Sequence, residues 1–234
     1  TFVATDALDG VILTENGHYL GVLDQSALLR AVNERNTLNA RDENPLTRLP
    51  GNSAIYRYAA RALADPRRRR FAVYFDFDNF KPFNDRYGFR QGDRAILLFK
   101  DILGKVLSQN DWFVGHIGGD DFFAYVQSID FEDAVEAVQR AQAMFDEQIK
   151  SFYDPETRDR GYLIGKGRDN NMARFDLMSV SAALIRIPSE RTDITLDHVS
   201  VEAAKLKAIA KNSANRFASG LYDAPCAPAP MTGK

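Results

Sequence analysis

The stretch FVGHIGGDDFFAYVQ, residues 113–127, leaves the chain few ways to fold. Two apolar runs flank Gly118, Gly119, Asp120 and Asp121, which predicts two strands joined by a tight turn with adjacent carboxylates at its tip. Upstream, FAVYFDF (71–77) predicts a buried strand, ending in Asp76-Phe77-Asp78. Alternation along a strand sends Asp76 and Asp78 to one face and Phe77 to the other. If that strand pairs beside the hairpin, Asp76 and Asp120 converge at neighbouring strand ends. Converging carboxylates repel unless a cation sits among them. Hard oxygen ligands favour Mg²⁺ (or Mn²⁺), which keeps open positions for substrate phosphates. The two glycines leave room for a large ligand against the turn. The pattern suits metal-assisted phosphoryl or nucleotidyl transfer.

The remaining sequence alternates helix and strand patterns. NSAIYRYAARALA, GDRAILLFKDILGKVLS, FEDAVEAVQRAQAMFDEQIKSFY and SVEAAKLKAIAKNS predict amphipathic helices, and LMSVSAALIRIP a further strand. Residues 154–176 are polar and rich in turn formers, which predicts a hairpin excursion. The run Arg67–Arg70 reads as a solvated loop. Sixteen Phe and nine Tyr supply a sizeable core, and a net charge of −2 offers no basic field for nucleic acid or an anionic membrane. The single Cys226 excludes an intrachain disulfide and fits a reducing cytoplasm. No apolar run approaches the ~18 residues of a membrane span. The chain starts at Thr1 rather than Met, so further domains are expected in the full-length protein.

At the N-terminus, VILT and YLGVL flank Asn16-Gly17, a strong hairpin signal. Asp24 or Ser26 then caps a helix carrying Leu28, Leu29 and Val32. This unit resembles the second half of a CBS repeat, a ligand-sensing module. The expected organisation is a CBS-like fragment over 1–33, a polar connector helix over 34–44, a main domain over 45–223 and a Pro- and Ala-rich tail over 224–234.

FDFDNFKPFNDRYGFRQGD followed by HIGGDDF resembles the GGDEF domain, the signature of diguanylate cyclases. The resemblance runs from about residue 45 to 220. It implies an α/β (α+β) nucleotidyl-cyclase or palm-like fold: a mostly antiparallel sheet surrounded by helices. It implies condensation of two GTP into cyclic di-GMP in a homodimer. Asp76 and Asp120 would bind the metal through their carboxylates, and Phe77 through its carbonyl. Backbone N–H groups at Phe80 and Lys81 would cradle phosphates. Asn84 and Asp93 match the guanine readers, because an Asp carboxylate accepts from guanine N1–H and N2–H together. Lys211 matches the lysine that holds the terminal phosphates. Asp121 matches the acid beside the attacking 3′-hydroxyl.

Several positions depart from the family pattern. Asp121 replaces Glu, His116 replaces an arginine, Phe89 replaces a histidine, and Asn215 stands where an arginine is usual, with Arg216 one position along. Asn44 and Asn52 replace an Asp and an Arg; losing both charges together leaves no unpaired buried charge. Ser108 stands where the family's product-inhibition arginine belongs, with Asp111 out of register, so no such inhibitory site is expected. The same residues are compatible with a second activity, a module that binds GTP without turnover and regulates a neighbouring domain, and with a third, a vestigial site on a dimerisation or docking unit.

Overall fold

A computed structural model of the chain describes residues 10–24, 26–30, 42–65, 68–166, 171–191 and 193–222. Two compact units share the chain, Thr1–Glu43 and Asn44–Lys234.

In the first unit, β1 (Gly10–Glu15) and β2 (His18–Asp24) form an antiparallel hairpin. Asn16 and Gly17 both have positive φ, the geometry of a two-residue turn whose twist matches the strands. Asp24, not Ser26, does the capping: its Oδ1 accepts from the Ala27 N–H at 2.6 Å and from the Ser26 hydroxyl at 2.7 Å. Most of the expected connector helix and the tail lie outside the described residues.

The second unit is built on five strands in the order β4-β5-β3-β8-β9. Numbered in chain order, they are β3 (Arg70–Asp78), β4 (Phe113–Gly118), β5 (Asp121–Gln127), β8 (Ser179–Ile187) and β9 (Phe217–Leu221). All pairings are antiparallel except β8 with β9. The fold is thus mixed α/β with a mostly antiparallel sheet, as the motifs imply. β9 carries only five residues, too few for the sequence pattern to reveal it.

Alternation along β3 divides the core. Phe71, Val73, Phe75 and Phe77 face one layer, which contains α3 (Phe89–Val106) and α4 (Phe131–Ile149). Ala72 and Tyr74 face the other, which contains α1 (Asn52–Leu63) and α6 (Leu196–Asn212). Phe75, Phe99, Phe122 and Phe145 are fully buried, each worth roughly 1.5–3 kcal/mol of burial. Their rings, with Phe77, meet mostly edge to face at about 5 Å between centroids. This packing fixes β3 at the centre of the sheet and so fixes the acids at its end.

The polar stretch after α4 forms α5 (Pro155–Arg160) and a separate two-stranded hairpin of β6 (Tyr162–Lys166) and β7 (Met172–Asp176). The Arg run differs from expectation at one residue. Arg68 and Arg69 are exposed, paired with Asp65 and Asp130, whereas Arg70 is 1% exposed. Its guanidinium donates to the carbonyls of Leu63, Pro188 and Arg191. Arg70 opens β3, and strand pairing draws it inward regardless of the polarity of its neighbours.

Candidate functional site

β3 ends at Asp78, and Asn79 reverses the chain in the left-handed region at φ 61. Asn tolerates that conformation better than most residues. Its side-chain amide donates to the Asp176 carbonyl at 3.1 Å, tying this corner to the end of β7. α2 (Phe80–Tyr87) starts immediately after. The first N–H groups of a helix have no intrahelical acceptor, so those of Phe80 and Lys81 are available to an anion. Phe77, Asp78, Phe80, Lys81, Asp85, Asp120 and Lys211 border a cleft of about 380 Å³. Lys166 and Phe175, from the β6–β7 hairpin, close one side of it.

The acids arrive from two neighbouring strands. Asp76 stands opposite Asp121 in the β3–β5 register, and Asp120 occupies the turn between β4 and β5. Gly119, at φ 57, supplies the left-handed residue this turn needs, with open space beside its Cα. Two lysines of α6 meet the acids. Lys207 Nζ lies 2.7 Å from Asp76 Oδ1 and 2.6 Å from Asp121 Oδ1. Lys211 pairs with the other oxygen of Asp76. Burial by itself would raise the Asp76 pKa, but the two ammonium groups outweigh it and hold the carboxyl below its ordinary value. Asp120 is the opposite case: burial, reinforced by the charges of Asp76 and Asp121, pushes it up. Asp78 is also pushed up by burial, while it accepts from Ser181 at 2.7 Å and Ser179 at 3.2 Å.

His116, one of the departures, has a defined place. It is buried, stacked on Phe122 at 4.3 Å between centroids. Its Nε2 lies 2.9 Å from the Gly119 carbonyl and its Nδ1 3.0 Å from the Thr47 hydroxyl. A carbonyl only accepts, so Nε2 carries the proton and Thr47 donates to Nδ1. Burial lowers the imidazole pKa, which favours this neutral form. Thr47 is set by Asn44, whose side-chain oxygen accepts from the Leu46 and Thr47 N–H groups at 3.0 and 3.1 Å. Asn52 donates to the Ile117 carbonyl at 3.2 Å. The neutral Asn44–Asn52 variant therefore builds an intact turn braced against the signature hairpin.

Asn84 and Asp93 do not border the cleft. Asn84 lies on α2 against Gly92 of α3, where a Cβ would come within 2.0 Å of its Oδ1. That oxygen is buried without a hydrogen-bond partner. Asp93 is exposed on the next residue. At the other end, α6 stops at Asn212, and Arg216 pairs with Asp146 rather than the cleft. Asn215 accepts from Ser213 and from the Phe217 N–H and so acts as a turn former. Lys207 was not among the residues the sequence singled out. Its spacing of four from Lys211 places both on one helix face, and that was the available signal. Lys166 and Phe175 had none beyond the length of the excursion.

No group of three or more His, Cys, Asp or Glu side chains among the described residues is arranged to enclose a metal. The residues fit instead sparse binding of a divalent cation, in which one or two carboxylates act with substrate phosphates. Asp120, half-buried near the charges of Asp76 and Asp121, is an acid that a cation would stabilise. No helix among the described residues is long and apolar enough to cross a membrane.

A mixed sheet with acids on adjacent strands beside a helix N-terminus has well-populated precedent. The family model described as "Diguanylate cyclase, GGDEF domain" matches residues 42–165, just over half of the chain. The chain belongs to the GGDEF domain family. It is similar to diguanylate cyclase DgcP of Escherichia coli K12, 31% identical over 111 residues, covering 46% of this chain and 31% of that protein. It spans less than a third of the length of the curated relatives it matches. Among solved structures, the coiled coil and GGDEF domain of Caulobacter crescentus DgcB in complex with c-di-GMP matches with a TM-score of 0.62 at 19% identity, covering 83% of this chain and 95% of that one. Vibrio cholerae LapD, as its S helix-GGDEF-EAL portion bound to c-di-GMP, matches with a TM-score of 0.63 at 13% identity, covering 86% and 42%. At these identities the likeness is one of fold. The family match begins at residue 42, and the comparisons do not support a CBS repeat in the N-terminal unit.

Proposed function

We propose that the chain is a diguanylate cyclase module that binds one GTP with Mg²⁺ and condenses two GTP into cyclic di-GMP when two copies face each other. The observation that carries this reading is the cleft at the end of β3, where Asp120 and Lys211 share one wall with the start of α2. The N–H groups of Phe80 and Lys81 would hold phosphate oxygens, with Lys211 and Lys166 as cations on the terminal phosphates. Asp120, Asp76 and the Phe77 carbonyl would hold the metal. A bound divalent cation supplies charge neutralisation on the phosphates. Asn84, with its orphaned Oδ1, would accept from the guanine amino group, and Asp93 from the N1–H edge.

In each transfer the 3′-oxygen of one GTP bonds to the α-phosphorus of the other. The bond from that phosphorus to the bridging oxygen breaks, and pyrophosphate leaves. Asp121, next to Asp120 in the chain, would receive the 3′-proton. Two such transfers close the ring, and facing two sites lowers the barrier chiefly by orientation. Residues 45–223 would form this domain, following a connector, in a cytoplasmic protein with further domains.

A second reading is a GTP-binding regulator without turnover. The pairing of Asp121 with Lys207 and of Arg216 with Asp146 favours it. Incubation of concentrated chain with GTP and Mg²⁺, followed by chromatography, separates the two. Cyclic di-GMP that disappears in Asp76→Ala supports the cyclase. GTP binding without product supports the regulator, and absence of both contradicts the nucleotide reading.

A further inference from the structure

Lys207 does what a metal ion does in a carboxylate site: it joins two acids from neighbouring strands through one positive centre. Its Nζ is nearly equidistant from Asp76 Oδ1 and Asp121 Oδ1, at 2.7 and 2.6 Å. Its side chain is 21% exposed and Asp76 only 13%, so solvent screens this contact less than a surface pair. The stem is held by α6, which packs against β3 and β8. Lys211, one turn on, takes the remaining oxygen of Asp76.

A phosphoryl-transfer site with two divalent ions places them roughly 3.5–4 Å apart between shared acids. Here the place shared by Asp76 and Asp121 is filled by Lys207. Neither lysine is bonded to Asp78 or Asp120; Asp78 is held instead by the Ser179 and Ser181 hydroxyls, which leaves Asp120 as the acid facing the cleft without such a partner.

Resting on the nucleotide–metal reading above, we infer that Lys207 is a resident cation that fills the second metal position, so that this chain takes a single divalent ion per nucleotide, on the Asp120 side of the cleft. Lys207 is thereby a positioning residue: it fixes where Asp76 and Asp121 point before any ligand arrives.

The test is to count Mn²⁺ ions bound per chain, by electron paramagnetic resonance, in the presence of a saturating GTP analogue with a methylene bridge between the α- and β-phosphorus atoms. Analogue binding is measured separately by calorimetry. The expected result is one Mn²⁺ on the wild type, two on Lys207→Met, and one on Lys207→Arg, which keeps the charge. Thermal unfolding of each variant establishes that it is folded, and Lys207→Gln replaces the Met variant if that one is not. Two Mn²⁺ on the wild type, or an unchanged count of one on the folded neutral variant, overturns the resident-cation assignment while leaving the nucleotide reading intact. Analogue that does not bind overturns the nucleotide reading and this inference with it.

Discussion

β3 carries a buried charge at each end, and the two ends are satisfied in different ways. At its start, Arg70 is held by three backbone carbonyls, one at the end of α1 and two in the loop after β8. At its finish, Asp76 is held by two lysine side chains. Carbonyls cannot leave without unfolding the segments that carry them, whereas lysine stems change rotamer at small cost. One end is therefore built for permanence and the other for exchange with a ligand. The difference teaches where to look for function in a sheet whose centre is uniformly buried: at the charge whose partners are mobile.

The largest effect expected on this comparison comes from Arg70→Met. It strands three acceptors, at roughly 1–3 kcal/mol for each left buried and unpaired, and should lower the thermal midpoint by 10 °C or more without altering which nucleotide binds. A variant that unfolds at the wild-type temperature would contradict the permanent role. Gly92→Ala should come next. Its new Cβ would overlap Asn84 Oδ1, so the Asn84 side chain must move and GTP affinity should fall about tenfold. Because guanine recognition is lost and phosphate contacts are kept, the preference for GTP over ATP should fall with it in competition titrations.

A smaller effect concerns Asp120→Asn in chelator-treated protein. The folded-state pKa of Asp120 lies above the ordinary value of 3.8, so the folded state holds this proton more tightly than the unfolded one. The wild type then loses stability as pH rises from near that value through the raised one. Asn cannot ionise. The variant should equal the wild type in strong acid and become the more stable of the two toward neutral pH, as read by urea midpoints. A gap that shrinks with rising pH would contradict the account. The smallest effect should be that of Lys166→Ala, an exposed residue at the cleft rim: a few-fold loss of GTP affinity that fades at high salt.

Much of this was legible in the sequence because it depends on local pattern. The acids at the ends of β3 and β5 follow from strand alternation and a Gly-Gly turn, and the helices from apolar spacing. What escaped depends on tertiary placement. Arg70 reads as part of an exposed basic run until strand pairing buries it. His116 reads as a lost arginine until Thr47 and the Gly119 carbonyl are seen on its two nitrogens. Lys207 reads as one of several helix lysines until β3 and β5 bring two acids to it. The parallel edge strand β9 is set by its pairing with β8 more than by its own composition.

The most direct test of the central claim, that the Asp76 end of β3 is the ligand-dependent end, is a thermal unfolding comparison with nucleotide. GTP with Mg²⁺ at about a hundred times its dissociation constant should add close to 2.7 kcal/mol to the stability of the wild type. The same addition should leave Asp76→Asn unchanged, and ATP should leave both unchanged. Equal stabilisation of wild type and Asp76→Asn by GTP, or none of the wild type, would contradict the claim.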